Sequence, residues 1–269
     1  MNPLERTLIE KTGHDNGFEH TLEEDTPTVT LASARHRSQA MIAKLDHEFN
    51  VKFHPSTSTL LLELQRSFSF MVTRDADTFR AESLGALSLI LRRAASLSQA
   101  LPTQAVQDYQ TAVSKELAKL PPGLGGTDVE RLVRQRLGQE RFRAAMLDYW
   151  GDACAVTGVT LPEVLRASHA KPWAECASDA ERLNVFNGFL LTANLDALFD
   201  RFLITFDEVG QLLISPQLTE RQLQPLGIHP DMKLRWLSEA HRGYLAFHQA
   251  RFQLLGVLST GAEDVVAHN

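Results

Sequence analysis

Between Leu165 and Asp200 the chain carries two short apolar stretches whose order narrows what this region can become. LRASHAKPW (165–173) reads as a strand that holds one histidine, His169, and ends at Pro172, which cannot continue a backbone hydrogen-bond ladder. NGFLLTANLDALFD (187–200) opens on Asn-Gly, a turn-forming pair, and runs through the apolar GFLL into a helical pattern. On that helix Asp196 and Asp200 stand four apart, so both carboxylates fall on one face. The spacing predicts strand, turn, strand and helix, with a histidine, an asparagine and two carboxylates attached.

The strongest interruption of the chain is PPGLGGT at 121–127, where prolines and glycines crowd together, and a domain boundary is expected there. It divides a region 1–122 from a region 127–269. In the first, EHTLEEDTP (19–27) is expected to be a loop or extended arm. Met41, Ile42, Leu45 and Phe49 recur at helical spacing, which predicts a helix over 33–49. VKF (51–53) is expected as a short strand, and helices are expected over 60–70, 84–101 and from 103 onward. The first region is therefore predicted to be mostly helical and carries no chemical motif. After 127 a helix is expected to Asp148, with Leu132, Phe142 and Met146 among its inward positions. CAVTG (154–158) reads as a strand entering a tight turn, and FLITFDEVGQLLIS (202–215) as a hairpin. Helical pieces follow near 219–226 and 235–255.

Composition narrows the function classes. At 269 residues, 43% hydrophobic and 22% charged, the chain has the make-up of a soluble globular protein. Its two cysteines, Cys154 and Cys176, form no disulfide framework, which fits a reducing compartment. The charged opening segment lacks a signal-peptide core, and no apolar run reaches the roughly 20 residues of a membrane span, so a cytoplasmic location is expected. The net charge of −6 argues against a broad electropositive nucleic-acid surface, leaving a local patch or a metal ion to make any phosphate contact. The densest positive patch is the 127–148 helix, with Arg131, Arg134, Arg136, Arg141 and Arg143; a solvated charged face is the plainer account of it.

Each piece alone is commonplace, since a strand histidine is usually a hydrogen-bonded core residue and Asn-Gly is usually a turn. Taken in order, CAVTG, RASHAKPW, NGFLL and LDALFDR resemble the HNH endonuclease family, over about residues 140–215. The resemblance implies an α+β chain: a mostly helical N-terminal region followed by a ββα-metal nuclease domain, with an extra β-hairpin and C-terminal helices. It also implies metal-dependent hydrolysis of DNA phosphodiesters, with His169 as general base and Asn187 either tying the hairpin arms together or reaching the metal. Asp196 stands where the family usually has histidine, and Ser168 stands where an acidic residue often precedes the base. A metal pair of Asp196 and Asp200 is therefore expected, and such hard oxygen ligands favour Mg²⁺ or Mn²⁺ over Zn²⁺. Arg166, Lys171, Arg141 and Arg143 are the candidate DNA-contacting cations. No CxxC pair accompanies Cys154 or Cys176, so Trp150, Trp173 and Phe189 are expected to support the hairpin instead of a structural zinc. DNA is the expected partner, with no membrane and with a homodimer as one possible assembly. A weakened ββα binding module or a protein–protein adaptor is the alternative to an enzyme.

Overall fold

Residues 39–54 form a β-hairpin, although the spacing over 33–49 suggested a helix. In the computed structural model, which describes residues 1–22, 27–55, 57–119 and 127–266, a five-stranded antiparallel meander runs through the first part of the chain. Its strands are β1 (His20–Thr21), β2 (Thr28–Ala32), β3 (Gln39–Leu45), β4 (Glu48–His54) and β5 (Thr78–Ala81). Met41 and Leu45, which completed the helical pattern, are exposed. The buried set is Ala40 and Ile42 on β3, then Phe49, Val51 and Phe53 on β4, the period of two that a sheet demands. Asp46 turns the hairpin at φ 51. The expected strand at 51–53 is the middle of β4.

Three helices accompany this sheet: α1 (Pro3–His14) and α3 (Leu84–Ala100) pack on its strands, and α2 (Ser58–Ser67) packs on α3. The first region is thus mixed, not mostly helical. α1 went unforeseen although its start is written in the sequence. Asn2 accepts from Glu5 N–H while Glu5 accepts from Asn2 N–H, a reciprocal capping box followed by Pro3 in the first turn. α3 buries Leu87, Ile90, Leu91, Ala94 and Leu97, as its apolar stripe requires. The acidic arm at 19–27 lies partly, at 23–26, outside the described residues.

The chain divides into two compact units, Met1–Gln104 and Ala105–Asn269, a division that falls in the first turn of α4 (Pro102–Leu117). Of the expected boundary segment at 121–127, residues 121–126 lie outside the described residues, and Thr127 begins the next helix.

In the second unit α5 (Thr127–Trp150) buries Phe142, Ala145, Met146, Tyr149 and Trp150, whereas Leu132, expected inward, is 62% exposed. Next come β6 (Leu165–His169), α6 (Asp179–Arg182), β7 (Gly188–Thr192) and α7 (Ala193–Phe199). The hairpin β8 (Ile204–Phe206) and β9 (Leu212–Ile214) follows as expected, then α8 (Glu220–Leu223) and α9 (Arg242–Val266). CAVTG is a turn whose Ala155 N–H donates to Leu190 on β7 at 2.6 Å. Trp150 stacks on Trp236 with centroids 4.2 Å apart, and Phe189 stacks on His241 at 5.4 Å. The Arg235 guanidinium lies 4.6 Å over Trp236 and donates to the Trp150 and Ala153 carbonyls. Aromatic packing therefore backs the strand that leads into α7. The whole is an α+β architecture.

Candidate active site

β6 and β7 pair antiparallel from Leu165↔Thr192 to His169↔Gly188, and α7 follows directly, giving the ββα unit. Asn-Gly does not turn this hairpin; the long segment 170–187 joins the strands. Gly188 is needed for another reason. A Cβ at this position would sit 1.9 Å from the Ser168 carbonyl oxygen, so only glycine lets β7 approach β6 beside His169.

His169 is half-buried. Its ring stacks on Phe142 of α5 at 3.8 Å and meets the edge of Trp173 at 5.8 Å. Nε2 lies 2.9 Å from the Arg182 carbonyl. A carbonyl can only accept, so Nε2 carries the proton and Nδ1 keeps its lone pair. Burial among the rings drives the pKa down to about 4, against the opposing pull of the Arg182 hydrogen bond, so the imidazole is neutral at pH 7.

Asn187 is fully buried. Its Oδ1 accepts from Lys171 N–H at 2.8 Å, and its Nδ2 donates to the Lys171 and Glu181 carbonyls and to Cys176 Sγ. All of its polar capacity goes to the 170–187 segment, which also carries the Arg182 carbonyl that orients His169. These bonds fasten the connecting segment to the start of β7. On α7, Asp196 Oδ1 accepts from the Ser168 hydroxyl, so the residue expected to be a poor ligand holds a carboxylate instead.

Residues 154–207 match the model of a family described as HNH endonuclease. This segment is similar to the HNH endonuclease family. A comparison with curated proteins finds no match to the chain.

The HNH segment and the middle of α5 enclose a cleft of about 480 Å³, lined among others by His169, Asp196, Asp200, Arg143 and Arg166. Five of the eight residues expected from the sequence therefore share one cavity. The other three do not line it. Lys171 forms a 2.7 Å ion pair with Glu181, which raises the lysine pKa and lowers that of the glutamate, so its charge is matched within the segment. Arg141 is exposed on the side of α5 opposite Arg143. Arg143 donates to the Leu165 and Pro162 carbonyls at 2.6 and 2.7 Å, and Arg166 to the Glu163 and Leu165 carbonyls. Both are anchored, with guanidinium donors to spare. The remaining arginines of α5 pair with acids: Arg131 with Asp128, Arg134 with Glu130 and Arg136 with Glu116. That helix is mostly a charge-matched face.

The donor set limits which metal could sit here. Among the described residues, no three His, Cys, Asp or Glu side chains gather closely enough to hold an ion. Asp196 and Asp200 remain as a pair. Partial burial, and then the like charge of Asp196, raise the pKa of Asp200. Two carboxylates suit a hard cation that keeps most of its water, as Mg²⁺ does, and are too few for the three or four protein ligands zinc takes.

Three contributors escaped the sequence. The Arg182 carbonyl is a backbone atom and leaves no side-chain signal. Phe142 read as ordinary core. Ser168 read as a lost ligand because its partner lies far along the chain.

Proposed function

We propose that this chain is a metal-dependent endonuclease that hydrolyses DNA phosphodiesters in the cleft between α5 and the HNH segment. What carries the reading is His169: a neutral imidazole whose tautomer is set by the Arg182 carbonyl, lining the same cavity as the Asp196 and Asp200 carboxylates. A water attacking phosphorus in line must lose a proton, and the lone pair on Nδ1 is its acceptor. A pKa near 4 makes His169 a weak base in the unliganded protein. The negative charge of a bound phosphodiester favours the imidazolium and lifts that value towards neutrality. Arg143 and Arg166 offer their remaining N–H groups to phosphate oxygens flanking the scissile bond. Asp196 and Asp200 would hold the divalent ion, Mg²⁺ or Mn²⁺, through one or two carboxylate oxygens. Such an ion supplies charge stabilisation at the phosphoryl and leaving oxygens.

The first unit, with its own core, is assigned target or partner selection, an arrangement suited to restriction or phage defence. The proposal needs one copy of the chain and no membrane; among the described residues no helix is long and apolar enough to cross one. The second reading, a ββα binding module with weakened chemistry, draws on the two-carboxylate donor set. Incubating plasmid DNA with Mg²⁺, Mn²⁺ or Zn²⁺ separates the two. Nicking that His169→Ala reduces about 10²–10⁴-fold supports the nuclease. DNA binding without metal-dependent cleavage supports the module, and an unimpaired His169→Ala removes the proposed base.

A further inference from the structure

Trp173 lines two cavities: the HNH cleft and a second one of about 550 Å³ between α5, α6 and the turn at Trp173. Building on the endonuclease reading, we propose that the second cavity receives the unstacked base of a nucleotide next to the scissile phosphate. Its size lies within the roughly 300–1,000 Å³ range of small-ligand sites. Its position follows from Trp173, whose ring stands at 89° to His169 with centroids 5.8 Å apart. A strand with a phosphate at His169 therefore has its neighbouring nucleotide at this wall.

The chemistry of the lining fits a nucleobase better than a bare anion. A base edge carries both donors and acceptors, and the cavity offers both kinds. Glu130, Asp179 and Gln135 can accept, and Arg134 and Arg182 donate. The two arginines are held in place, Arg134 by Glu130 at 2.7 Å and Arg182 by Asp179 at 3.2 Å. Arg131 differs from them. It and its partner Asp128 are both largely exposed, at 3.3 Å, and such a pair is weak enough to exchange for a backbone phosphate. Three arginines and two carboxylates line the cavity, and Asp128 balances Arg131 from outside the lining until a phosphate displaces it. The aromatic wall is fixed as well. A Cβ at Gly138 would lie 2.1 Å from Trp173 Cη2, so glycine in mid-helix allows the indole to lie against α5. A stacked duplex hides its base faces, so the occupant is a base already out of the stack.

The test uses the full chain in chelator, so that nothing is cleaved, and measures anisotropy of labelled single-stranded oligonucleotides. A single abasic position is walked along the strand. Affinity should fall about 5- to 150-fold at one or two adjacent positions and little elsewhere. Trp173→Ala should erase that position dependence, and Arg131→Gln should weaken all oligonucleotides and lower the salt slope by about one. Because Trp173→Ala could unfold the site, Gln135→Ala on exposed helix surface is the second probe; it should alter base preference at the same position. Affinity indifferent to the abasic position, or position dependence that survives both variants, overturns the proposal. Cleavage by wild type without position dependence defeats this inference alone. Position dependence in a protein that never cleaves keeps the base site and rejects the nuclease.

Discussion

The Ser168 hydroxyl on β6 donates to Asp196 Oδ1 on α7, joining the strand that carries His169 to the helix that carries Asp196 and is capped by Asp200. Ser168 is 1% exposed, so the bond is sheltered and fixes how Asp196 presents its other oxygen. Ser168→Ala should lower stability by about 1.5–3 kcal/mol in urea denaturation, the range for a hydrogen bond to a charged group. Calorimetry should show Mn²⁺ binding weakened less than by Asp196→Ala. Equal losses in the two variants would make Ser168 a ligand and not a support.

Metal affinity also tests the carboxylate pair. Asp196→Ala should abolish metal-dependent cleavage and most Mn²⁺ binding, because only one protein carboxylate would remain. Asp196→His restores the residue usual in the family and should retain activity while shifting preference towards Zn²⁺, Co²⁺ or Ni²⁺. Mn²⁺ affinity unchanged in Asp196→Ala would place the metal elsewhere. Asp200→Ala should relieve the like charge on Asp196 and still weaken binding.

Asn187→Ala removes four hydrogen bonds at a fully buried position. Stability should fall by at least about 2 kcal/mol, since Lys171 N–H and several acceptors lose their partner. Activity should fall with it, because the same segment carries the Arg182 carbonyl. A variant that loses activity at an unchanged melting temperature would mean Asn187 acts on the reacting groups directly.

Acid should destabilise the second unit in a defined window. His169 and His248 both have folded pKa values of about 4, each lowered mainly by burial, against 6.5 when exposed. His248 is held between Thr205 and the Phe199 carbonyl. Between pH 6.5 and 4 the unfolded chain binds protons that the folded chain does not, so stability is complete above pH 6.5 and falls as pH drops towards 4. The loss should reach on the order of 2–3 kcal/mol per histidine. Denaturation midpoints at pH 7 and 4.5 measure it, and His248→Gln should flatten the slope. His36 in the first unit shifts the same way and is the background to subtract. A pH-independent midpoint over this range would contradict the burial account.

Legibility differed sharply between the two units, for physical reasons. In the HNH segment the chemistry is local: β6, β7 and α7 are short, their apolar runs are bounded by turn residues, and five of the eight expected side chains meet in one cleft. In the first unit the choice between helix and sheet over 39–54 was ambiguous, because Met41 and Leu45 satisfy a helical spacing while Ala40, Ile42, Phe49 and Val51 satisfy an alternating one. Pairing with β2 on one side and β5 on the other settled it, and β5 at 78–81 lies too far along the chain for a local window to weigh.

The sequence by itself determined the order of strand, strand and helix, the places of His169, Asp196 and Asp200 along it, and the helical course of α5. Those follow from periodicity and from which residue types can accept a proton or hold a cation. Tertiary structure alone decided what each residue is used for. Lys171 was paired off by Glu181, Arg143 was tied to backbone carbonyls, and Ser168 became the support of Asp196. Each outcome depends on a partner 10 to 28 residues away, brought within hydrogen-bond reach only when α5, the hairpin with its connecting segment, and α7 close on one another. The energy of such a contact depends on distance and burial, and neither exists until the chain has folded.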